Sequence, residues 1–200
     1  MRVVDKYVNA IKNARHWYWW KYLDRPILEI CKDHPEHVKS ELVFAKVALI
    51  NRVYRTNLQM GSRDAEQRLA DKLVAAKADR FISALTRIQT FDRRALPSIL
   101  AVHETFVRLA YRITGRVENS FCSKYLSFHY PASVLIFDNY AYAALKAIRD
   151  SVPRGLYPRN WNRRYAYHCE AVLILLDELR DRGINRPNLK LVDHVLYGDR

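Results

Sequence analysis

Residues 118–150 read ENSFCSKYLSFHYPASVLIFDNYAYAALKAIRD and contain several structural signals in succession. A short helix bearing Lys124 is followed by a turn at Tyr130-Pro131, and the apolar run from Val134 to Phe137 then leads to Asp138. The pattern predicts that the next helix starts directly after Asp138. An acidic group behind a wall of apolar side chains is energetically costly. We therefore expect the chemistry of the chain to lie in this stretch.

The segments on both sides of this stretch show helical periodicity. Apolar residues recur at helical spacing in residues 3–11, 38–57, 65–85, 99–113, 165–179 and 189–197. No run alternates with period two over a length that would require a sheet. The sequence predicts an all-α fold of eight to ten helices. Residues 1–200 are expected to form a single compact domain, or two helical lobes that meet at a cleft near residues 118–142.

The composition indicates the class of partner. The chain carries 34 Lys and Arg against 21 Asp and Glu, a net charge of +13, which favours polyanions such as DNA or RNA over other partners. The absence of an 18-residue apolar run, together with an amino terminus unlike a signal peptide, favours a cytoplasmic protein that does not bind membranes. Three scattered cysteines give no metal-binding pattern, so we expect no metal and no cofactor. No obligate protein partner is predicted.

Residues 153–165, PRGLYPRNWNRRY, form a basic and aromatic segment. Arginine binds phosphate through two parallel hydrogen bonds and also stacks on rings, so Arg159, Arg163 and Arg164 are candidate contacts to a nucleic-acid backbone, with Trp161 beside them. An ordinary solvated loop would also explain this composition.

Two further segments are candidates for nucleic-acid contacts. Arg52 and Arg55 lie near the end of the helix that begins after Pro35, where they could bind phosphate or balance the carbonyl end of the helix. Residues 16–22, HWYWWKY, contain Trp20 in a dense aromatic group. Such a group could stack on bases or pack between two helices.

Lys124 and Asp138 are the candidate reactive pair. The turn at Pro131 lies between them and would fold both segments towards one cleft. A lysine with a lowered pKa attacks carbonyl or sugar carbons, and a carboxylate takes its proton or stabilises an oxocarbenium ion. Two simpler interpretations stay open. Asp138 could be only the N-cap of the following helix, and Lys124 could be an exposed surface lysine.

The segment Phe137-Asp138-Asn139-Tyr140 after an apolar run resembles the Pro-Val-Asp-Thr-His segment that ends the motif of helix-hairpin-helix DNA glycosylases. Lys124 is similar in placement to the nucleophilic lysine of the bifunctional members, and the resemblance covers about residues 120–145. It implies an all-α fold in which the aspartate is catalytic. It also implies that duplex DNA is bound with one base extruded between two lobes, because a base inside a duplex is unreachable.

The resemblance implies an enzyme that hydrolyses the N-glycosidic bond of a flipped, damaged or modified base and leaves an abasic site. Hypermodified bases of phage DNA, and hence a role in anti-phage defence, belong to this expectation. Asp138 and Lys124 would be catalytic. The remaining assignments are DNA contacts at Arg159, Arg163, Arg164, Arg52, Arg55, Ser120, Asn139 and Tyr140, and a base pocket of Trp20, Phe121, His129 and Trp161. The alternatives are a non-enzymatic helical module that binds nucleic acid and a protein-interaction domain whose charge is incidental.

Overall fold

The computed structural model describes residues 2–13, 18–58, 62–157, 162–185 and 188–197, and this part of the chain is all-α, as predicted. No strand occurs in the described residues. Their helices are α1 (Arg2–Asn13), α2 (Tyr18–Asp33), α3 (Ser40–Tyr54), α4 (Ala65–Ala75), α5 (Asp79–Ile82), α6 (Leu96–Thr114), α7 (Asn119–His129), α8 (Asn139–Ala144), α9 (Lys146–Arg149), α10 (Arg163–Asp181) and α11 (Leu189–Tyr197). Two of these eleven, α5 and α9, are single turns of four residues, which explains the excess over the predicted eight to ten.

Helix α7 lies in the centre of the molecule. It packs against α2, α3 and α6, and nearly all of its side chains are buried. The apolar residues Phe121, Tyr125 and Phe128 share one face of this helix and Leu126 lies on another, and all four are buried. Burial of each such side chain contributes roughly 1.5–3 kcal/mol to folding. Polar residues on this helix are therefore also placed inside the protein, and Lys124 is one of them.

The apolar run after α7, residues 134–137, forms a buried segment without regular secondary structure. Its backbone groups need partners because no water reaches them. Three side chains supply these partners: Tyr165 Oη donates to the carbonyl of Leu135 over 2.8 Å, His168 Nε2 donates to that of Ile136 over 3.0 Å, and Ser123 Oγ accepts the N–H of Phe137 over 2.8 Å. The segment is thus held between α7 and α10, which fixes the position of Asp138 directly after it.

The helix expected over residues 65–85 is interrupted. Helix α4 ends at Ala75, and Lys77 adopts a left-handed conformation with φ of 50°. The N–H of Ala78 bonds to the carbonyl of Leu73 over 3.0 Å, and that of Lys77 to Val74 over 2.9 Å, which is the pattern that closes a helix end. The chain then continues as α5 and a 3₁₀ turn, Ser83–Leu85.

Helices α10 and α11 complete the core. Helix α10 packs against α1, α6 and α9, and α11 packs against α1 and α8. The contact between α11 and α8 brings Asp193 close to the start of α8, where Asp138 lies. In the described ranges no helix has the length and apolar character needed to cross a lipid bilayer.

Candidate functional site

A cavity of about 910 Å³ opens where six helices meet. Its walls come from α2, the carboxyl end of α3 with residues 55–57, residues 116–118 with the first turns of α7, residues 136–140, the start of α10, and α11. Small-molecule sites in proteins usually enclose roughly 300–1,000 Å³, so this cavity has the size of a ligand site. Both Lys124 and Asp138 line it.

Asp138 has two roles at once. One carboxylate oxygen, Oδ1, accepts the N–H of Tyr140 over 2.8 Å and so caps helix α8. The other, Oδ2, lies 3.5 Å from Nζ of Lys124. An aspartate can do both because its two oxygens point in different directions. The capping interpretation is therefore correct, and it leaves one oxygen facing the cavity.

Lys124 is buried, so its interpretation as a surface lysine is wrong. The residue is 3% exposed, and its Nζ donates to Ser120 Oγ over 2.8 Å and to the carbonyl of Phe137 over 3.4 Å. Burial lowers the pKa of Lys124, while the carboxylates of Asp138 and Asp193 act in the opposite direction. A lower pKa makes the neutral amine, which is the nucleophilic form, easier to reach.

A second group of charged residues lies at and behind the cavity wall, on α2 and α11, and the sequence interpretation missed it. The hydroxyl of Tyr54 donates to Asp24, and Lys190 Nζ lies 3.2 Å from Asp24 Oδ2. Asp193 and His194 line the cavity itself. The sequence did contain a signal for this group, because Lys190, Asp193 and His194 are spaced to share one face of α11. Nothing in the sequence showed which neighbour that face meets.

The rim of the cavity carries arginines. Arg164 donates to Asn139 Oδ1 over 3.1 Å, and its guanidinium lies 5.0 Å from the centre of the Tyr142 ring. Arg55 and Arg116 also line the cavity. Of the predicted DNA contacts, the cavity brings together Arg55, Arg164, Ser120, Asn139 and Tyr140.

Two predicted DNA contacts lie away from the cavity. Arg52 pairs with Glu66 of α4, with its Nη2 3.0 Å from Glu66 Oε2. Arg163 is exposed in the first turn of α10 and is not among the residues that form the cavity walls. Arg159 lies outside the described residues. A contact of Arg52 or Arg163 with DNA would therefore have to be made outside the cavity.

The predicted base pocket requires correction. Phe121 is fully buried, with its ring centre 6.1 Å from that of Phe106, and it does not line the cavity. His129 lies at the other end of α7, 5.0 Å from the ring of His37. Both residues are on faces of α7 that meet other parts of the core. Trp20 is in helix α2, but its side chain lies outside the described part of the chain, as does Trp161.

A second buried polar group lies at that other end of α7. Lys46 is fully buried and donates to the carbonyls of His34, over 2.8 Å, and Glu36, over 3.1 Å. Next to it, His37 Nδ1 bonds to Asp79 Oδ1 over 2.7 Å. None of these residues lines the cavity. Within the described residues, no set of three or more His, Cys, Asp or Glu side chains is arranged to hold a metal ion.

The fold and the site define an all-α protein with a lysine–carboxylate pair buried at a cavity. Residues 3–133 match the model of the HI_0787_N family, which is described as an N-terminal domain, and the chain belongs to this family. The match includes Lys124 and stops before Asp138, Arg164 and Asp193, so the cavity is built from residues on both sides of its boundary. Comparisons with curated proteins and with solved structures found no match.

Proposed function

We propose that this protein is a DNA glycosylase that hydrolyses the N-glycosidic bond of an extruded, damaged or modified base. One observation carries the proposal. The carboxylate of Asp138 lies 3.5 Å from the buried Lys124 ammonium group, in a cavity large enough for a base. The resemblance of residues 120–145 to helix-hairpin-helix DNA glycosylases supports the same assignment, because the aspartate of that family also stands at the mouth of a helix.

Asp138 would act on the sugar. As the bond between C1′ and the base nitrogen breaks, its electron pair leaves with the base and positive charge develops on the sugar. A fixed carboxylate stabilises that charge more effectively than water because it needs no reorientation during the reaction. Water then attacks C1′ and leaves an abasic site. In this scheme Lys124 holds the Asp138 carboxylate in position; in an alternative scheme Asp138 activates Lys124, which attacks C1′ itself.

The rim and the overall charge support DNA as the substrate. Arg55 and Arg164 are exposed at the cavity, where they would meet the phosphates beside an extruded nucleotide. A net charge of +13 adds long-range attraction to a polyanion. The cavity volume is near the upper end of the range for ligand sites, which favours a base carrying an additional substituent. Hypermodified phage bases fit this description, and cleavage of such DNA in the cytoplasm would serve defence against phage.

A non-enzymatic nucleic-acid-binding module is the second candidate. It is favoured by the capping bond from Tyr140 N–H to Asp138, because that bond gives the aspartate a structural role without any chemistry. Such a module needs the basic rim but not a carboxylate inside a cavity. Base release that depends on Asp138 therefore distinguishes the glycosylase from the binding module.

The test is incubation with duplexes that carry different damaged and modified bases, followed by alkali and detection of strand breaks. Breaks are expected with at least one duplex, and Asp138→Asn should reduce base release by about 10³-fold or more while DNA affinity is retained. The asparagine keeps a capping oxygen, so folding should change little. Asp92→Asn is the matched control, because Asp92 Oδ1 accepts the N–H groups of Arg94 and Ala95 before α6, away from the cavity. Intact strands together with salt-sensitive DNA binding would favour the binding module.

A further inference from the structure

Asp193 is a second carboxyl group in the cavity. It lies on α11, is only 8% exposed, and lines the cavity wall. Within the described residues it accepts no hydrogen bond. The charged and titratable groups that surround it come from five helices or helix starts: Asp24 (α2), Tyr54 (α3), Lys124 (α7), Asp138 (start of α8) and Lys190 (α11). A buried carboxyl group that accepts no hydrogen bond from the described residues and lies at the wall of a cavity is positioned to meet a ligand.

The environments of Asp193 and Asp138 differ. Asp138 accepts a backbone N–H and faces Lys124 at 3.5 Å, which are contacts that stabilise a carboxylate. Asp193 has no such acceptor contact. Its burial raises its pKa to about 6, opposed by Lys190 and Lys124 and reinforced by Asp138 and Asp24. Two carboxyl groups held in different environments in one site commonly divide the roles of acid and base.

We propose that Asp193 donates a proton to the departing base, an inference that rests on the proposed glycosylase function. When the bond between C1′ and the base breaks, its electron pair moves onto the base, and the base takes the proton of the Asp193 carboxyl group. Asp193 is left as a carboxylate. Water then forms the new bond to C1′ and releases a proton, which restores the protonated Asp193. Asp138 stabilises the positive sugar throughout and exchanges no proton.

This role depends on the leaving base. A neutral purine leaves as an anion unless it is protonated, so its release needs the acid. A purine methylated at N7 already carries a positive charge and leaves as a neutral molecule, so its release needs no proton. General acid catalysis typically contributes about 10²–10⁴-fold to a rate. Removal of the Asp193 carboxyl group should therefore slow the release of a neutral purine strongly and the release of an N7-methylated purine only slightly.

The experiment compares single-turnover base release from two matched duplexes, one carrying a neutral modified purine and the other 7-methylguanine. For Asp193→Asn, release of the neutral purine should fall by about 10²-fold or more, and release of 7-methylguanine by less than about tenfold. The ratio of the two rates comes from one protein preparation, so a partly unfolded fraction affects both rates equally. Asp138→Asn is the comparison, because loss of sugar stabilisation should slow both reactions. Asp150→Asn, an exposed residue paired with Lys146 on the outside of the protein, is the control.

Three results would be decisive. A rate ratio that changes only with Asp193→Asn supports the proton donor. Equal losses on both duplexes would overturn the proton donor and leave the glycosylase assignment intact. No release of either base, or of any base in the wider panel, by the natural protein would overturn the glycosylase assignment and the proton donor together.

A measurement without DNA tests the protonated state of Asp193 separately. Its pKa is raised in the folded protein, so the stability contributed by its proton is fully present below the ordinary aspartate pKa near 4 and is lost as pH rises through about 6. Between pH 4 and 7 the melting temperature of the natural protein should therefore fall relative to that of Asp193→Asn, which has no such proton to lose. A difference that stays constant over this range would overturn the proton donor whatever the result with DNA.

Discussion

Lys46 and Lys124 are both buried lysines, and comparing their surroundings separates a structural role from a chemical one. The ammonium group of Lys46 donates to two backbone carbonyls, those of His34 and Glu36, and Lys46 does not line the large cavity. The ammonium group of Lys124 meets a hydroxyl, a carbonyl and the carboxylate of Asp138 at the wall of the large cavity. The first arrangement fastens the loop before α3. The second places two ionisable groups at the wall of the large cavity.

A lowered pKa does not distinguish the two lysines. Burial lowers the pKa of both Lys46 and Lys124. The two lysines differ in whether they line the large cavity and in the partner of the ammonium group. The backbone carbonyls that Lys46 meets cannot exchange a proton, whereas the carboxylate that Lys124 meets can. A buried lysine is therefore a candidate for chemistry only when a cavity and a titratable partner accompany it.

Among the lysine and arginine variants, the largest effect is expected for Lys124→Gln. This change removes the cation that holds Asp138 in position, so base release should fall by about 10²-fold while the fold is retained. If water attacks C1′, no covalent bond forms between protein and DNA. Treatment with borohydride during the reaction should then trap no adduct with either the natural protein or the variant.

Borohydride trapping also tests the alternative scheme. An adduct that forms with the natural protein and disappears with Lys124→Gln would show that Lys124 is the nucleophile. An adduct that persists in the variant would mean that another amine attacks the sugar. Lys72→Gln is a matched control, because Lys72 is on α4, away from the cavity.

Lys46→Met should have the next largest effect, and on stability instead of activity. The methionine fills similar space but leaves two buried carbonyls without a donor. We expect a loss of about 2 kcal/mol in the free energy of unfolding, since the unmet carbonyls outweigh the relief of burying a charge. The loss is measured by denaturant unfolding. Base release per folded molecule should be unchanged, and a loss of release without a loss of stability would contradict the structural role of Lys46.

The smallest effect is expected for Arg164→Gln at the cavity rim. Loss of one phosphate contact should weaken duplex binding about fivefold, or about 1 kcal/mol, and reduce the slope of log affinity against log salt by about one. Arg180→Gln is the control, because Arg180 lies at the far end of the same helix and pairs with Asp177. An identical salt slope in Arg164→Gln and Arg180→Gln would place the DNA contact elsewhere.

The part of the site that could be predicted depends on local signals. The sequence predicted a short helix bearing Lys124, which is α7; Tyr130-Pro131 predicted the turn, and an aspartate after an apolar run predicted the cap of α8. The short separation in sequence then brought Lys124 and Asp138 together, as expected. Each of these inferences needs only the residues within one or two turns of the chain.

The remainder depends on contacts between distant segments. Phe121 and His129 were expected at the base pocket, but α7 is buried on nearly every side and the sequence does not say which neighbour each side meets. Asp193 is 55 residues beyond Asp138, and only the packing of α11 on α8 brings it to the site. The break at Lys77 was also missed, because the left-handed residue there is a lysine in place of the usual glycine.

The buried segment of residues 134–137 also has a consequence for protein synthesis. Lys124 precedes it in the chain, whereas Phe137 and Asp138, which contact the lysine, and Tyr165 and His168, which hold the segment, follow. A nascent chain that has reached only residue 133 contains the lysine without the carboxylate. Lys124 therefore has no carboxylate partner until Asp138 has been made, and the segment before Asp138 gains its contacts with Tyr165 and His168 only once α10 has emerged from the ribosome.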